Sequence, residues 1–230
     1  MPKVDKEHFE RKENLIVDAA IRVCQTKPAY EVTLRDVIRE GGISPGGMYC
    51  YFSSIDEIFA AILNRCYRET NLGKGAGEVF ESGESPETII ETAFICIGEV
   101  IEKASQPYGK LINELNTIYF NDNERRKKIK TLLIVESDCD RIGDMLQIFI
   151  EKHIESGYFK PITPKPYILL LVGIAIQGII SSLPFPDETK KGFYDSIGLD
   201  EELRSAQGMA VALSKLIIDS LKNERSSDSI

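Results

Sequence analysis

The residues best suited to chemistry are concentrated in one stretch, Thr33 to Phe52, which reads TLRDVIREGGISPGGMYCYF. Thr33 and Ser44 each precede a short segment in which a hydroxyl can accept a backbone N–H that a first helical turn leaves unpaired. Leu34, Val37 and Ile38 follow Thr33 at i, i+3 and i+4 spacing and form one apolar face. Gly41 and Gly42 end that segment, because glycine turns the chain without a Cβ penalty. Pro45 opens the second segment, where its missing N–H costs nothing. This is the layout of a helix-turn-helix. The second segment offers Ser44, Pro45, Gly46, Gly47, Met48 and Tyr49. Short polar side chains and bare backbone of this kind can approach base edges and phosphates in a DNA major groove. Two adjacent glycines each cost about 1 kcal/mol against alanine in a helix. A close approach of backbone to DNA accounts for them; a loose first turn is the plainer alternative.

The elements that must hold this stretch are helical on both sides. Residues 7–26 read as a first helix with Leu15, Ala19, Ile21 or Arg22, and Val23 at helical spacing, ended by Pro28. After Phe52, expected to pack beneath the second segment, a further helix starts near Ser53 or Ser54. Asp56 and Glu57 fall in its first turn, where the macrodipole favours negative charge.

The segment TLRDVIREGGISPGGMYCYFSSIDEIFAAIL resembles the DNA-binding region of the TetR family of bacterial transcriptional regulators, with the match extending over residues 10–65. A Thr-capped helix, a small-residue turn, a Ser-capped helix and a closing Tyr49–x–Tyr51–Phe52 carry it. The resemblance implies an all-α, TetR-like fold: an N-terminal helix-turn-helix head, residues 1–55, and a larger helical ligand-binding and dimerisation domain, residues 56–230. It implies DNA contacts from Thr33, Arg35, Ser44, Pro45, Gly46, Gly47, Met48, Tyr49, Tyr51 and Ser53. The partners it implies are a double-stranded operator, a second copy through the last two helices, and a small-molecule effector. One position departs from the family pattern: Ile55 stands where a lysine usually reaches a phosphate. Loss of that cation weakens the salt-dependent part of binding, with the Ser53 and Ser54 hydroxyls or the helix N-terminus as substitutes.

From Glu87 onward the pattern is helical, without alternating strands. Helices are expected over 87–105, 108–120, 124–156, 166–183 and 201–222, with breaks at Gln106-Pro107, Gly157 and Pro184-Phe185-Pro186, and a polar loop after the last. The apolar run Ile168 to Ile180 has 13 residues and includes Gln177, which is short for a bilayer and suits a buried helix. Burial of such a helix on most of its circumference calls for a subunit partner, or for the middle of a monomeric core. Helical phase gives Phe94, Tyr108, Leu111, Leu115, Tyr119, Met145, Phe149 and Gln177 as effector-pocket candidates, with ordinary core packing the simpler reading for each. Gln177 stands out as a polar group in an apolar helix that must find a partner.

Composition sets the remaining limits. A net charge of −8 is unusual for a DNA binder, but residues 1–52 balance eight Lys/Arg against eight Asp/Glu, so the whole deficit lies beyond them. Arg and Lys at 124–128 (ERRKK) read as a solvated helix start. Five scattered cysteines without CxxC spacing, and an N-terminus without an apolar run, point to reduced thiols in the cytoplasm. Cys50 reads as a small apolar packing residue. His8 and His153 are isolated and read as surface residues. There is no metal cluster, cofactor motif, phosphate-cradling loop or nucleophile–base set, so an enzyme is not expected. A helical protein-interaction module without specific DNA binding is the alternative to a regulator.

Overall fold

The computed structural model describes residues 6–73, 75–182 and 187–222; the expected break at Pro184–Phe185–Pro186 lies outside them. Among the described residues every regular element is helical. In chain order these are α1 (Lys6–Thr26), α2 (Leu34–Gly41), α3 (Pro45–Tyr49), α4 (Ile55–Glu69), α5 (Gly75–Glu78), α6 (Pro86–Asn121), α7 (Asn123–Leu132), α8 (Asp138–Glu155), α9 (Lys165–Ser182), α10 (Asp187–Ser196) and α11 (Ala206–Lys222). They form two compact units that are not contiguous in sequence. One comprises Met1–Glu69 with Gln106–Glu136, the other Thr70–Ser105 with Ser137–Ile230. Helix α6 contributes to both, and leaves helical geometry at Gln106, ahead of Pro107, as expected.

In the first unit α1 buries Ile16, Val17, Ala19, Ala20, Val23 and Cys24. The inward face is therefore turned from the expected one: Leu15 is exposed. Small residues explain the choice. The position a Cβ would take on Gly41 lies 3.2 Å from the Ala19 Cβ, so alanines at the contact let α1 and α2 approach closely. Arg65 of α4 pairs with Asp18 and donates to the Asn14 backbone and side-chain oxygens, which ties α4 to α1.

The long helix expected over 124–156 is two helices. Leu133 is extended at the end of α7, and Ser137 caps α8 by accepting the Asp140 N–H. Val135, expected on the helical stripe, lies in the break. The cause is Asn64, a buried amide on α4. Its Nδ2 donates to the Leu132 carbonyl, and its Oδ1 accepts the N–H groups of Ile134 and Val135 at 2.8 and 3.1 Å. It thereby supplies the partners that a continuing helix would have supplied.

In the second unit, Ile90, Phe94 and Ile97 of α6 pack with Ile142, Leu146 and Ile150 of α8 and with Leu213 and Ile217 of α11. Helices α6 and α11 meet closely at Gly98, where an added Cβ would lie 2.6 Å from the Gln207 Cα. The expected polar loop after 186 contains α10, anchored by the buried Tyr194, and α11 begins at Ala206 rather than 201. Helix α9 is less buried than a core helix. Tyr167, Leu170, Leu171 and Ile174 are 64, 59, 49 and 61% exposed and recur at i, i+3, i+4 and i+7, one continuous apolar stripe. Leu216 of α11, expected to point inward, is also exposed. The whole of α9 has 18 residues and a mean hydropathy of 1.5, enough by length and composition to cross a membrane, although the 13-residue run inside it is not. Its Ile168 and Ile179 are nevertheless buried in the protein core.

Replacing Asn64 by alanine removes three hydrogen bonds and strands buried backbone groups. A loss of roughly 2–3 kcal/mol is expected in urea unfolding.

Candidate nucleic-acid interface

Thr33 is the N-cap of α2, in extended geometry. Its hydroxyl accepts the Asp36 N–H, while its own N–H and O–H both donate to Asp36 Oδ2, at 3.0 and 2.7 Å. This is a reciprocal capping box with aspartate in the third helical position. Lys27 Nζ donates to the same oxygen at 2.8 Å, and Arg39 to Oδ1 at 2.9 Å. The Lys27 and Thr33 hydrogen bonds hold the Asp36 carboxyl down to about 2. The hydroxyl proton of Thr33 is thus committed within the protein, so the phosphate contact expected of it would have to displace Asp36. Gly42 follows in the left-handed region, φ 60°, and returns the chain toward Ser44.

Helix α3 is five residues long. Ser44 caps it by accepting the Gly47 N–H at 3.1 Å, which leaves the hydroxyl proton free to donate outward. Ser44, Pro45, Gly46 and Tyr49 are exposed, and Tyr49 is 62% exposed. Met48, expected at the DNA surface, is completely buried. One apolar side chain must face inward for so short a helix to be held, and Met48 with Phe52 fills that role. Cys50, expected to pack, is exposed instead and its thiol donates to the Gly46 carbonyl. The two glycines differ. A Cβ on Gly47 would lie 3.0 Å from Ser44 Oγ and crowd the cap, whereas one on Gly46 meets nothing within 4 Å. No packing demand in the protein therefore calls for glycine at 46.

Tyr51 is half-buried, its ring 4.5 Å from that of Phe9 on α1. Arg35 is exposed on α2 with no ion-pair partner among the described residues. Ser53 is not free. Its N–H and hydroxyl both donate to the Glu57 carboxylate, and the hydroxyl bond chiefly holds that carboxyl below the usual range. It is therefore a poor substitute for a cation near Ile55. The sequence reading missed Asp36 and Lys27, although Thr-x-x-Asp before an apolar face is a legible capping signature.

The effector-pocket candidates fall into two sets. Tyr108, Leu111, Leu115 and Tyr119 belong to the first unit and are buried; the Tyr108 hydroxyl donates to Glu69. Phe94, Met145, Phe149 and Gln177 belong to the second. Phe94 is wholly core, the Phe149 ring packs at a tilt against Phe80 and His153, and Gln177 donates to Ser181. His153 is a member of this aromatic cluster rather than a bare surface residue. A cleft of about 910 Å³ lies elsewhere, between α1 and α4, and is lined by Glu10, Glu13, Asp18, Glu57, Arg65 and Arg68 among others.

Charge divides along the same lines. The first unit carries sixteen Lys/Arg against fifteen Asp/Glu, the second twelve against twenty-one. The unit with the helix-turn-helix is near neutral, and the acidity that argues against DNA binding belongs to the other.

Known proteins match the helix-turn-helix region in sequence and the whole chain in fold. Residues 16–62 match the family model of bacterial regulatory proteins, tetR family. The uncharacterized HTH-type transcriptional regulator YfiR of Bacillus subtilis is 28% identical over 209 residues, covering 88% of this chain and 93% of that protein. Two crystal structures share the fold. MexZ, described as a key repressor responsible for antibiotic resistance in Pseudomonas aeruginosa, superposes with a TM-score of 0.61 at 14% identity, over 94% of this chain and 97% of that one. The transcriptional regulator FadR from Bacillus subtilis, solved with stearoyl-CoA, superposes with a TM-score of 0.56 at 12% identity, over 90% and 98%.

Because Asp36 is ionised well below its ordinary 3.8, its bonds contribute stability that is complete above that value and lost as pH falls toward about 2. Asp36→Asn should lower stability by about 1 kcal/mol near neutrality. In thermal melts the difference from the parent should close between pH 4 and pH 2.

Proposed function

We propose that this chain, which belongs to the TetR family of bacterial regulatory proteins through its residues 16–62, is a cytoplasmic homodimeric repressor released from its operator by a small molecule. The observation that carries the DNA-binding half is the face of α3. Ser44 has a free hydroxyl proton, Gly46 is bare and open, and Tyr49 is exposed, all on a helix pinned from behind by Met48. Ser44, Pro45, Gly46 and Tyr49 enter the major groove. Gly47 keeps the Ser44 cap, and Tyr51 and Arg35 border the phosphates. Thr33 acts as a cap that shapes this surface, and Ser53 is held by Glu57.

Dimerisation is supported by the apolar stripe of Tyr167, Leu170, Leu171 and Ile174 on α9, together with Leu216 on α11. Exposed apolar area at helical spacing is costly in a monomer, and an isologous interface would bury it twice. Two heads related by a two-fold axis then meet two successive major grooves. The functional division we propose is a head of residues 1–55 and an effector-binding and dimerisation domain of residues 56–230. Met145, Phe149 and Gln177 are the candidates still partly accessible for a ligand. The stearoyl-CoA bound to the FadR neighbour supports an apolar-tailed effector as the first class to try. An effector acts only through its differential affinity for the operator-competent conformer and the other.

The experiment is fluorescence anisotropy with duplexes tiled from the DNA beside the protein's own gene, against scrambled duplexes. Two protomers should bind one tile saturably and in preference to scrambled DNA. Gly46→Ala should leave the melting temperature unchanged or raised, since alanine is the better helix former by about 1 kcal/mol. The same variant should bind the preferred tile at least tenfold more weakly. Equal binding to all duplexes would leave the interaction-module reading in its place.

A further inference from the structure

Helix α7 carries five cations, Arg125, Arg126, Lys127, Lys128 and Lys130, in a ten-residue helix capped by Asp122. The sequence alone gives it no role beyond solvation. The structure puts it in the same compact unit as the helix-turn-helix, with Ile129 buried. Its inward side meets the first turn of α4. Arg125 Nε and Nη2 both lie 2.7 Å from Asp56 Oδ1, and Lys128 Nζ lies 3.8 Å from Asp56 Oδ2.

That turn is a sensitive place for charge. Ile55 follows Tyr49 by six residues, so the chain keeps the two within roughly 20 Å. Asp56 and Glu57 lie there, the Glu57 carboxyl is held below its usual range, and Glu57 also holds Ser53. Two carboxylates beside a DNA-facing helix would repel phosphates unless compensated. Arg125 compensates Asp56 with two hydrogen bonds and is only 26% exposed. Lys128 is held differently. It is 54% exposed, makes no short bond to Asp56, and also lowers the Glu57 carboxyl electrostatically. If Lys128 turns to an outside anion, Asp56 keeps Arg125 and Glu57 keeps the two Ser53 hydrogen bonds. Lys127, by contrast, lies on the far flank of α7 and pairs with Glu124 at 2.9 Å.

We propose that α7 is part of the DNA-binding surface, with Lys128 contacting a backbone phosphate beside the N-terminus of α4 and the Arg125–Asp56 pair positioning it. The inference rests on the regulator reading and adds to it a phosphate contact delivered from a helix some seventy-five residues beyond the recognition segment. A phosphate contact adds affinity and salt dependence without reading sequence.

The test is the slope of log K against log salt for the preferred gene-adjacent duplex and for a scrambled one, using the full-length protein. Each lost phosphate contact reduces the slope by about 0.9, so Lys128→Gln should flatten it by about 2 per dimer on both duplexes. Lys128→Arg should restore the parent slope. Lys127→Gln, the same charge change on the opposite flank, should leave it alone. An unchanged slope in Lys128→Gln, or equal flattening by Lys127→Gln, overturns the proposal while leaving the regulator reading intact. If the unmodified protein shows no preference for any gene-adjacent duplex, the regulator reading fails and takes this inference with it.

Discussion

The burial of Met48 is the constraint on which the DNA-facing surface depends. A five-residue helix that begins Pro-Gly-Gly cannot stand on its own propensity: nucleation costs more than so few hydrogen bonds return. Met48 is completely enclosed, and Phe52 next to it is 5% exposed. Burying side chains of that size is worth about 1.5–3 kcal/mol each, comparable to the propensity that the two glycines give up. The helix is thus held by its inner face, which leaves Ser44, Gly46 and Tyr49 to be chosen for what lies outside. A residue that looks like a surface contact in the sequence is the fastening that makes the surface possible.

Polar fastening complements it on the other side of the turn. Lys110 donates to the carbonyls of Cys24 and Lys27 at the end of α1, and Glu114 accepts the Ala29 N–H. A cation on the last carbonyls of a helix satisfies groups that helix geometry leaves unpaired. The Lys27 side chain then reaches Asp36, and Asp36 closes the cap on Thr33. The part of α6 beyond Pro107 is in this way connected, bond by bond, to the start of the helix-turn-helix. Burial also keeps the Cys24 thiol protonated, pushed up to about 12, so that neutral packing completes this corner.

Features that depend on local chemistry were legible in the sequence: the Thr33 and Ser44 caps, Pro45 at the first helical position, the glycine turn at 41–42, the break at Gln106-Pro107 and the all-helical class. The errors arose where a distant residue decides. The 133–137 break is imposed by Asn64 from another helix, and no periodicity within 124–156 reveals it. The inward face of α1 is set by its fit to Gly41, which moved Leu15 outward. Met48 and Cys50 exchange their expected roles because only three-dimensional packing tells which flank of a short helix is covered. The basic run of α7 has no legible role until α4 is placed beside it.

Two symmetric heads, each presenting the outer face of α3 to a major groove, are the centre of this account. Hydroxyl-radical footprinting of the dimer on its preferred duplex tests that arrangement most directly. Two groups of protected sugars related by a two-fold axis are expected, their centres one helical turn or a whole multiple of it apart, about 34–36 Å per turn. A single protected patch, or protection spread evenly along the duplex, would contradict it.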